Sequence, residues 1–353
     1  MNGAAWQQKT VNANGRRINL RLAGSSGPLV LLCHGFPESW YSWHHQLEAL
    51  SAAGYRAVAL DMPGFGRSAK PAAADAYSVI EVSSVCAAVV EALGEKTAVI
   101  VGHDLGAPVA WTAAWTRPEI FRAVVGMSVP FSGRGVGAML GSPFGEIRPS
   151  EAGAKIAGPG RMFYHEYFAH HTDDAVREAE QDMRTWLTAA LYSLSASRPL
   201  PPPLAGADLT RLPPDILLQF VGAAMSVPLG QGMSQLLEMP KELPAWLKRE
   251  DLDYFVAELE YGGLAGPLNY YKNFDRDWER LESYQNKPLA VPALFIGGDR
   301  DIVTIWSQEA IARADEMITD LRGRIIIPNC GHWIQQEQPE AVNKALIDFL
   351  KSL

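Results

Sequence analysis

The sequence predicts an α/β architecture: a mostly parallel central sheet with helices on both faces, interrupted by an α-helical insertion. Three observations predict it. Through the first third of the chain, short apolar runs alternate with helix-spaced stretches, the pattern of strand–helix–strand units. The runs are apolar throughout, as strands covered on both faces require. Strand-like runs then vanish after about residue 133 and return only at Pro292.

Taken in order, Leu29 to Cys33 is the first such run, ending at Gly35. Tyr55 to Leu60 is the second, and it closes on Asp61-Met62-Pro63-Gly64-Phe65-Gly66-Arg67-Ser68, read as a structural loop. Val79 to Leu93 has helical spacing. Thr97 to Val101 is a strand, followed by Gly102-His103-Asp104-Leu105-Gly106 and a helix over Pro108 to Thr116; Ala123 to Met127 is the next strand. Gly and Pro dominate from Gly133 to Gly160. Asp173 to Ser195 reads as one long helix, with Asp173 and Asp174 at its electropositive start. The run Arg198 to Pro203 breaks it. A loop-rich stretch reaches about Pro244, then more helix, with no strand anywhere in this middle. Strands return at Pro292 to Gly297 and Gly323 to Pro328, and Glu340 to Leu350 is the terminal helix. The expected division is a core segment (1–131), a helical cap (132–275) and a second core segment (276–353). At the usual ~150 residues per domain, the 353 residues would make two domains; the pattern makes them one sheet with an insertion.

Composition narrows the function. Hydrophobic residues are 48% and charged residues 20%, with mean hydropathy −0.05, the balance of a globular chain with a full core. A net charge of −8, without a basic run, disfavours nucleic acids and anionic membranes as partners. No apolar run approaches the ~18 residues of a membrane helix, and Met1 to Gly15 lacks a signal-peptide core. Three cysteines, Cys33, Cys86 and Cys330, lack metal spacing and suit a reducing, cytoplasmic setting. No residue cluster suggests a metal or cofactor, so none is expected.

Gly102-His103-Asp104-Leu105-Gly106 lies between an expected strand and an expected helix, the context of a nucleophile elbow. The glycines permit the sharp turn and close packing, and the central side chain is pushed above the sheet near a helix N-terminus. That position usually holds Ser; here it is Asp104. A Gly-rich turn with a capping Asp is the alternative. Two further residues follow in the order this architecture uses: Asp301, just after the strand ending at Gly297, and His332 in Cys330-Gly331-His332-Trp333. Each lies beyond the C-terminal end of a parallel strand, where open α/β sheets build their sites. Asp299 is the rival acid. His34-Gly35-Phe36-Pro37 follows the first strand; its turn, with a candidate cis Phe36–Pro37 bond, can aim the Phe36 N–H at the elbow, forming an oxyanion hole with the N–H of Leu105.

The segments His34 to Trp40, Gly102 to Gly106, Asn269-Tyr270-Tyr271-Lys272-Asn273 and Cys330 to Trp333 together resemble the soluble epoxide hydrolases of the α/β-hydrolase superfamily. Val129 to Gly135, Gly141 to Pro149 and Phe295 to Trp306 look most like the mycobacterial epoxide hydrolase B branch. The likeness spans nearly the whole chain. It implies the α/β-hydrolase fold with a cap, and Tyr164 and Tyr271 as paired acids reaching down from that cap; Tyr167 and Tyr270 are neighbours that could be confused with them. It also suggests a homodimer.

An Asp nucleophile needs no base, because it is already an anion, and it suits attack at an alkyl carbon. Water must then hydrolyse the resulting ester, with His332 as the base oriented by Asp301. An epoxide leaves as an alkoxide and needs an acid; a tyrosine phenol, with its pKa of ~10, remains protonated at pH 7. The expected reaction is conversion of a small-molecule epoxide to a vicinal diol without a cofactor. Alternatives are a haloalkane or haloacid dehalogenase with the same nucleophile, or a non-catalytic small-molecule receptor. Leu105 stands where many epoxide hydrolases and the haloalkane dehalogenases carry Trp, which removes one halide donor. His34, Pro37, Trp40, His103 and Trp333, which flank these motifs, are expected against the substrate.

Overall fold

A computed structural model describes residues 6–353; residues 1–5, the head of the polar N-terminal stretch, lie outside the described residues. Ten strands are present among the described residues: β1 (Gln7–Ala13), β2 (Arg16–Ala23), β3 (Leu29–Cys33), β4 (Arg56–Leu60), β5 (Ala98–His103), β6 (Phe121–Met127), β7 (Arg161–Phe163), β8 (Ser226–Pro228), β9 (Ala293–Gly298) and β10 (Leu321–Ile327). Eight form one sheet in the order β1-β2-β4-β3-β5-β6-β9-β10. β1, β2 and β4 pair antiparallel, and every pairing from β4 to β10 is parallel.

The alternation of side chains along a strand divides the core. Val30 and Leu32 of β3 and Val99 and Val101 of β5 pack with α1 (His44–Ala52) and the terminal helix Pro339–Lys351, through Leu47, Leu50, Leu346 and Phe349. Leu31, Cys33 and Ile100 face the other way, onto α2 (Val79–Ala92) and α3 (Gly106–Thr116). Every residue of β3, β5 and β9 is buried, which is why these strands read as unbroken apolar runs.

Between β6 and β9 the chain leaves the sheet. It forms α4 (Pro149–Ala157), α5 (Tyr164–His170), α6 (Thr172–Glu180), α7 (Met183–Ser193), α8 (Pro214–Met225) and α9 (Arg249–Gly262). Four expectations change here. The helix expected over Asp173 to Ser195 is two helices: Asp182 has non-helical backbone (φ −150°, ψ 81°), and its carboxylate caps the second by accepting from Thr185 N–H. The supposedly loop-rich stretch contains α8, because Pro214 occupies the first turn, where a missing N–H costs nothing. The middle also holds strands: β7 and β8 pair antiparallel, Phe163 opposite Ser226. Three residues are too few to show a period. Finally, the helix Phe274–Arg280 runs across the expected division at 275.

Candidate active site

Five parallel strands end on one edge of the sheet, and each hands the chain to a site loop: β3 to Phe36, β5 to Asp104, β6 to Ser128, β9 to Asp301 and β10 to His332. The elbow is tight. Asp104 sits in left-handed backbone at φ 49°, a conformation that costs a non-glycine residue about 1–3 kcal/mol. A Cβ at Gly35 would collide with the Asp104 side chain, and one at Gly106 with the backbone carbonyls of Cys33 and His34.

The two carboxylate oxygens of Asp104 have different surroundings. Oδ1 accepts the Phe36 N–H at 2.7 Å. Oδ2 lies 3.5 Å from His332 Nε2. The Phe36–Pro37 bond is cis. The Leu105 N–H donates no hydrogen bond to the carboxylate among the described residues; Leu105 caps α3 directly beside it. Burial opposes ionisation of Asp104, but the hydrogen bond and charge of His332, the charge of His103 and the Phe36 N–H outweigh it and hold the pKa below its ordinary value.

His332 Nδ1 faces Asp301 Oδ1 at 2.9 Å. Asp301 is almost saturated: it also accepts from Val303 N–H, Thr304 N–H, Thr304 Oγ1 and Ser128 Oγ. Burial raises its pKa, yet His332 and these donors bring it down to about 2. Burial disfavours the His332 imidazolium, but Asp301 and Asp104 more than compensate and raise its pKa to about 10. Asp299 is directed elsewhere, its Oδ1 accepting the Cys330 N–H at 3.2 Å.

From the cap, Tyr164 and Tyr271 line the same cavity as Asp104 and His332. Their ring centroids are 5.9 Å apart, and neither hydroxyl has a hydrogen-bond partner among the described residues. Burial, then the nearby Asp104 charge, pushes both phenol pKa values well up. Phe163 of β7 places Tyr164 at the first position of α5. Tyr271 is aimed by its neighbours, since Tyr270 Oη donates to Pro63 O and Asn273 Nδ2 to Ala74 O. Tyr167 donates to Glu178, outside the site.

Of the five residues expected against the substrate, only Pro37 lines the cavity. The other four are corrected. Both His34 ring nitrogens meet backbone, at Gly35 O and Met62 N–H. Trp40 donates to Tyr254 Oη and stacks edge-on against Trp6, Tyr41 and Tyr254. Trp333 is fully buried and donates to Leu191 O. His103 spans Glu38 Oε2 and the His332 carbonyl, each at 2.8 Å. These side chains frame the site from behind.

Two residues escaped the sequence reading. Ser128 Oγ lies 2.6 Å from Asp301 and 3.0 Å from His332 Nδ1; its place just beyond a parallel strand was the available signal. Glu38 is buried and accepts from Gly35 N–H, Gln335 Nε2 and Gln336 Nε2 besides His103. It ties the turn carrying Phe36 to the loop carrying His332. Nothing in a lone Glu after Pro37 marks it as buried.

No helix among the described residues is long and apolar enough to cross a membrane. A family model described as the alpha/beta hydrolase fold matches residues 28–166. Epoxide hydrolase B of Mycobacterium tuberculosis is 45% identical, with 98% of each chain covered. Epoxide hydrolase A of the same organism is 34% identical over 98% of each. The solved structure of an epoxide hydrolase from an endophytic Streptomyces superposes with a TM-score of 0.87 at 42% identity, covering 99% of this chain and 96% of that one. A carboxylate at a nucleophile elbow, faced by a histidine–carboxylate pair and two unpartnered phenols, thus coincides with end-to-end likeness to named relatives: the chain belongs to the epoxide hydrolases of the α/β-hydrolase family.

Proposed function

We propose that the enzyme opens an epoxide in two steps through a covalent ester on Asp104. Oδ2 attacks a ring carbon, and the carbon–oxygen bond of the ring breaks. Tyr164 and Tyr271 hydrogen-bond the leaving oxygen, and one of them gives it a proton. The ester formed leaves Oδ1 as its carbonyl oxygen, already against the Phe36 N–H. His332 then takes a proton from a water that attacks the ester carbon. The charge that develops on Oδ1 meets the N–H groups of Phe36 and Leu105. Collapse releases the vicinal diol and restores the carboxylate, while the proton held by His332 returns to the phenol. Esterification removes the Asp104 charge, one of the two anions that raise the His332 pKa; the imidazolium can then give its proton to solvent and act as the base, and it recovers a proton from solvent once the carboxylate is restored.

The observation that carries this reading is the pair of phenols, without hydrogen-bond partners among the described residues, that line the cavity with Asp104. It also favours an epoxide over a halide, as does Leu105, which supplies no indole donor beside Asp104. Single turnover in heavy-oxygen water, with enzyme in excess, tests the ester. The first diol is expected to carry enzyme oxygen; bulk-water label in that diol would mean direct attack by water. A cytoplasmic setting is proposed on the three free, buried thiols. A homodimer is proposed on likeness, and sedimentation velocity tests it.

A further inference from the structure

Just beyond β6 the chain turns on Ser128. Its φ is 68°, in the left-handed region that residues with a side chain avoid. The Val129 N–H closes a three-residue turn on the Met127 carbonyl at 2.8 Å, a tight turn that is rare and strained at this sign of φ. The Ser128 N–H donates to Ile296 O of β9 at 2.9 Å, which fixes the turn beside the loop that carries Asp301. Glycine would fit here without strain, so a serine at this position is a cost that only its side chain can offset. We propose that Ser128 is a positioning residue for the second half of the reaction: its hydroxyl holds His332 in the tautomer that leaves Nε2 free to activate water. This rests on the two-step reading above and deepens it.

The hydroxyl is fully buried and sits between the two groups it serves. Oγ lies 2.6 Å from Asp301 Oδ2 and 3.0 Å from His332 Nδ1. A serine hydroxyl has one proton to give and lone pairs that accept. The bond to the carboxylate is charge-assisted and the shorter of the two, so the proton goes to Asp301. What Ser128 turns toward Nδ1 is then a lone pair. Asp301 Oδ1, 2.9 Å from the same nitrogen, also offers only lone pairs. Nδ1 therefore faces two acceptors and must carry a hydrogen. A neutral imidazole has one N–H in all, which leaves Nε2, on the Asp104 side, as the bare nitrogen.

The two acceptors come from different strand ends, Asp301 after β9 and Ser128 after β6. A ring held by one acceptor can rock about that bond, whereas two fix its direction. Thr304 Oγ1 also donates to Asp301 Oδ2, at 2.8 Å, so that oxygen keeps a hydroxyl donor without Ser128, and the loss falls on the imidazole. The two chemical steps feel that loss differently. Attack by Asp104 uses no base, and in the imidazolium both ring nitrogens carry hydrogen, so no tautomer is selected. Selection matters only after the ester has formed, when His332 is neutral and Nε2 must take a proton from water.

The competing account is that Ser128 only shapes the turn. Enzyme in excess over styrene oxide, quenched through one turnover and weighed intact, gives the rates of ester formation and ester hydrolysis separately. Ser128→Ala should form the ester within roughly twofold of the wild-type rate and hydrolyse it about tenfold more slowly or worse, the size expected for one hydrogen bond to a group that becomes charged. Ser128→Gly separates the two accounts. It removes the hydroxyl but relieves the left-handed backbone, so it should melt above Ser128→Ala and still hydrolyse the ester as slowly. A glycine variant that hydrolyses the ester at the wild-type rate overturns the assignment. So does an alanine variant whose two steps slow equally, or whose hydrolysis is unchanged. Those outcomes leave the ester itself standing. A wild type whose first diol carries oxygen from bulk water overturns the two-step reading, and this assignment with it.

Discussion

On the core side of the cavity the reacting atoms are held by hydrogen bonds. Asp104 has the Phe36 N–H, His332 has Asp301, and Asp301 has four further donors. On the cap side Tyr164 and Tyr271 have no polar partner among the described residues; Phe36, Phe168, His165 and Phe274 pack around them instead. The difference follows from what each group must do. The core groups carry charge, and a buried charge is tolerable only when it is paired and hydrogen-bonded. On the proposed mechanism the phenols spend their donors on the substrate oxygen, so shape positions them and leaves them unsatisfied until it arrives.

The harshest way to break this division is Asp104→Ala. Removing the group that forms the bond should reduce turnover by about 10⁴-fold or more, to background, with circular dichroism unchanged. Next is Tyr164→Phe with Tyr271→Phe, which deletes only the two hydroxyls. Loss of the acid should cost about 10³-fold, with little change in melting temperature because neither hydroxyl has a hydrogen-bond partner to lose among the described residues. A large drop in stability would show that the phenols are structural after all. Third, Asp301→Ala should slow ester hydrolysis by about 10²-fold or more and leave a stoichiometric ester visible by mass spectrometry, whereas Asp299→Ala should trap none. Equal trapping by the two variants would move the acid role.

The smallest effect concerns pH. The His332 pKa is raised in the folded protein to about 10 from its ordinary 6.5. Its contribution to stability is therefore complete below about pH 6.5 and is lost as pH climbs through about 10. The cap phenols, pushed well above their ordinary value, stay neutral across that window. Melting temperature should fall between pH 7 and 10 in wild type and fall less in His332→Gln. Parallel curves would mean that the core-side charges are not the titrating groups.

Legibility in the sequence followed the same divide. β3, β5, β6 and β9 could be read because burial on both faces writes itself as an apolar run, and the elbow because its glycines are required by backbone geometry. In the cap, packing rather than pattern decides: a single aspartate, Asp182, restarts a helix in mid-run, Pro214 begins one instead of ending one, and β7 is too short to announce itself. Asp104, Asp301 and His332 were legible through their order along the chain. Tyr164 and Tyr271 needed the family resemblance, since nothing in their own spacing separates them from Tyr167 and Tyr270. Glu38 and Ser128 act through contacts with residues far away in sequence, which no local reading reveals. The misreading of His34, Trp40, His103 and Trp333 came from equating nearness in sequence with facing the cavity. At these turns adjacent side chains part: Asp104 and His332 line the cavity, whereas His103 and Trp333 do not.

The neighbours β6 and β9, with Val124 beside Ala293, have the whole cap between them in the chain. Loop closure over such a span adds entropy only logarithmically with length, but non-local pairings of this kind form late and slowly. During synthesis from the N-terminus, Asp104 and the Phe36 turn emerge long before the strands that carry Asp301 and His332. On the proposed mechanism, a chain halted in between would have the carboxylate that attacks an epoxide and would lack the base that frees it again. Docking of β9 and β10 would then do two things at once: complete the sheet and convert a residue open to a single irreversible alkylation into a catalyst that turns over.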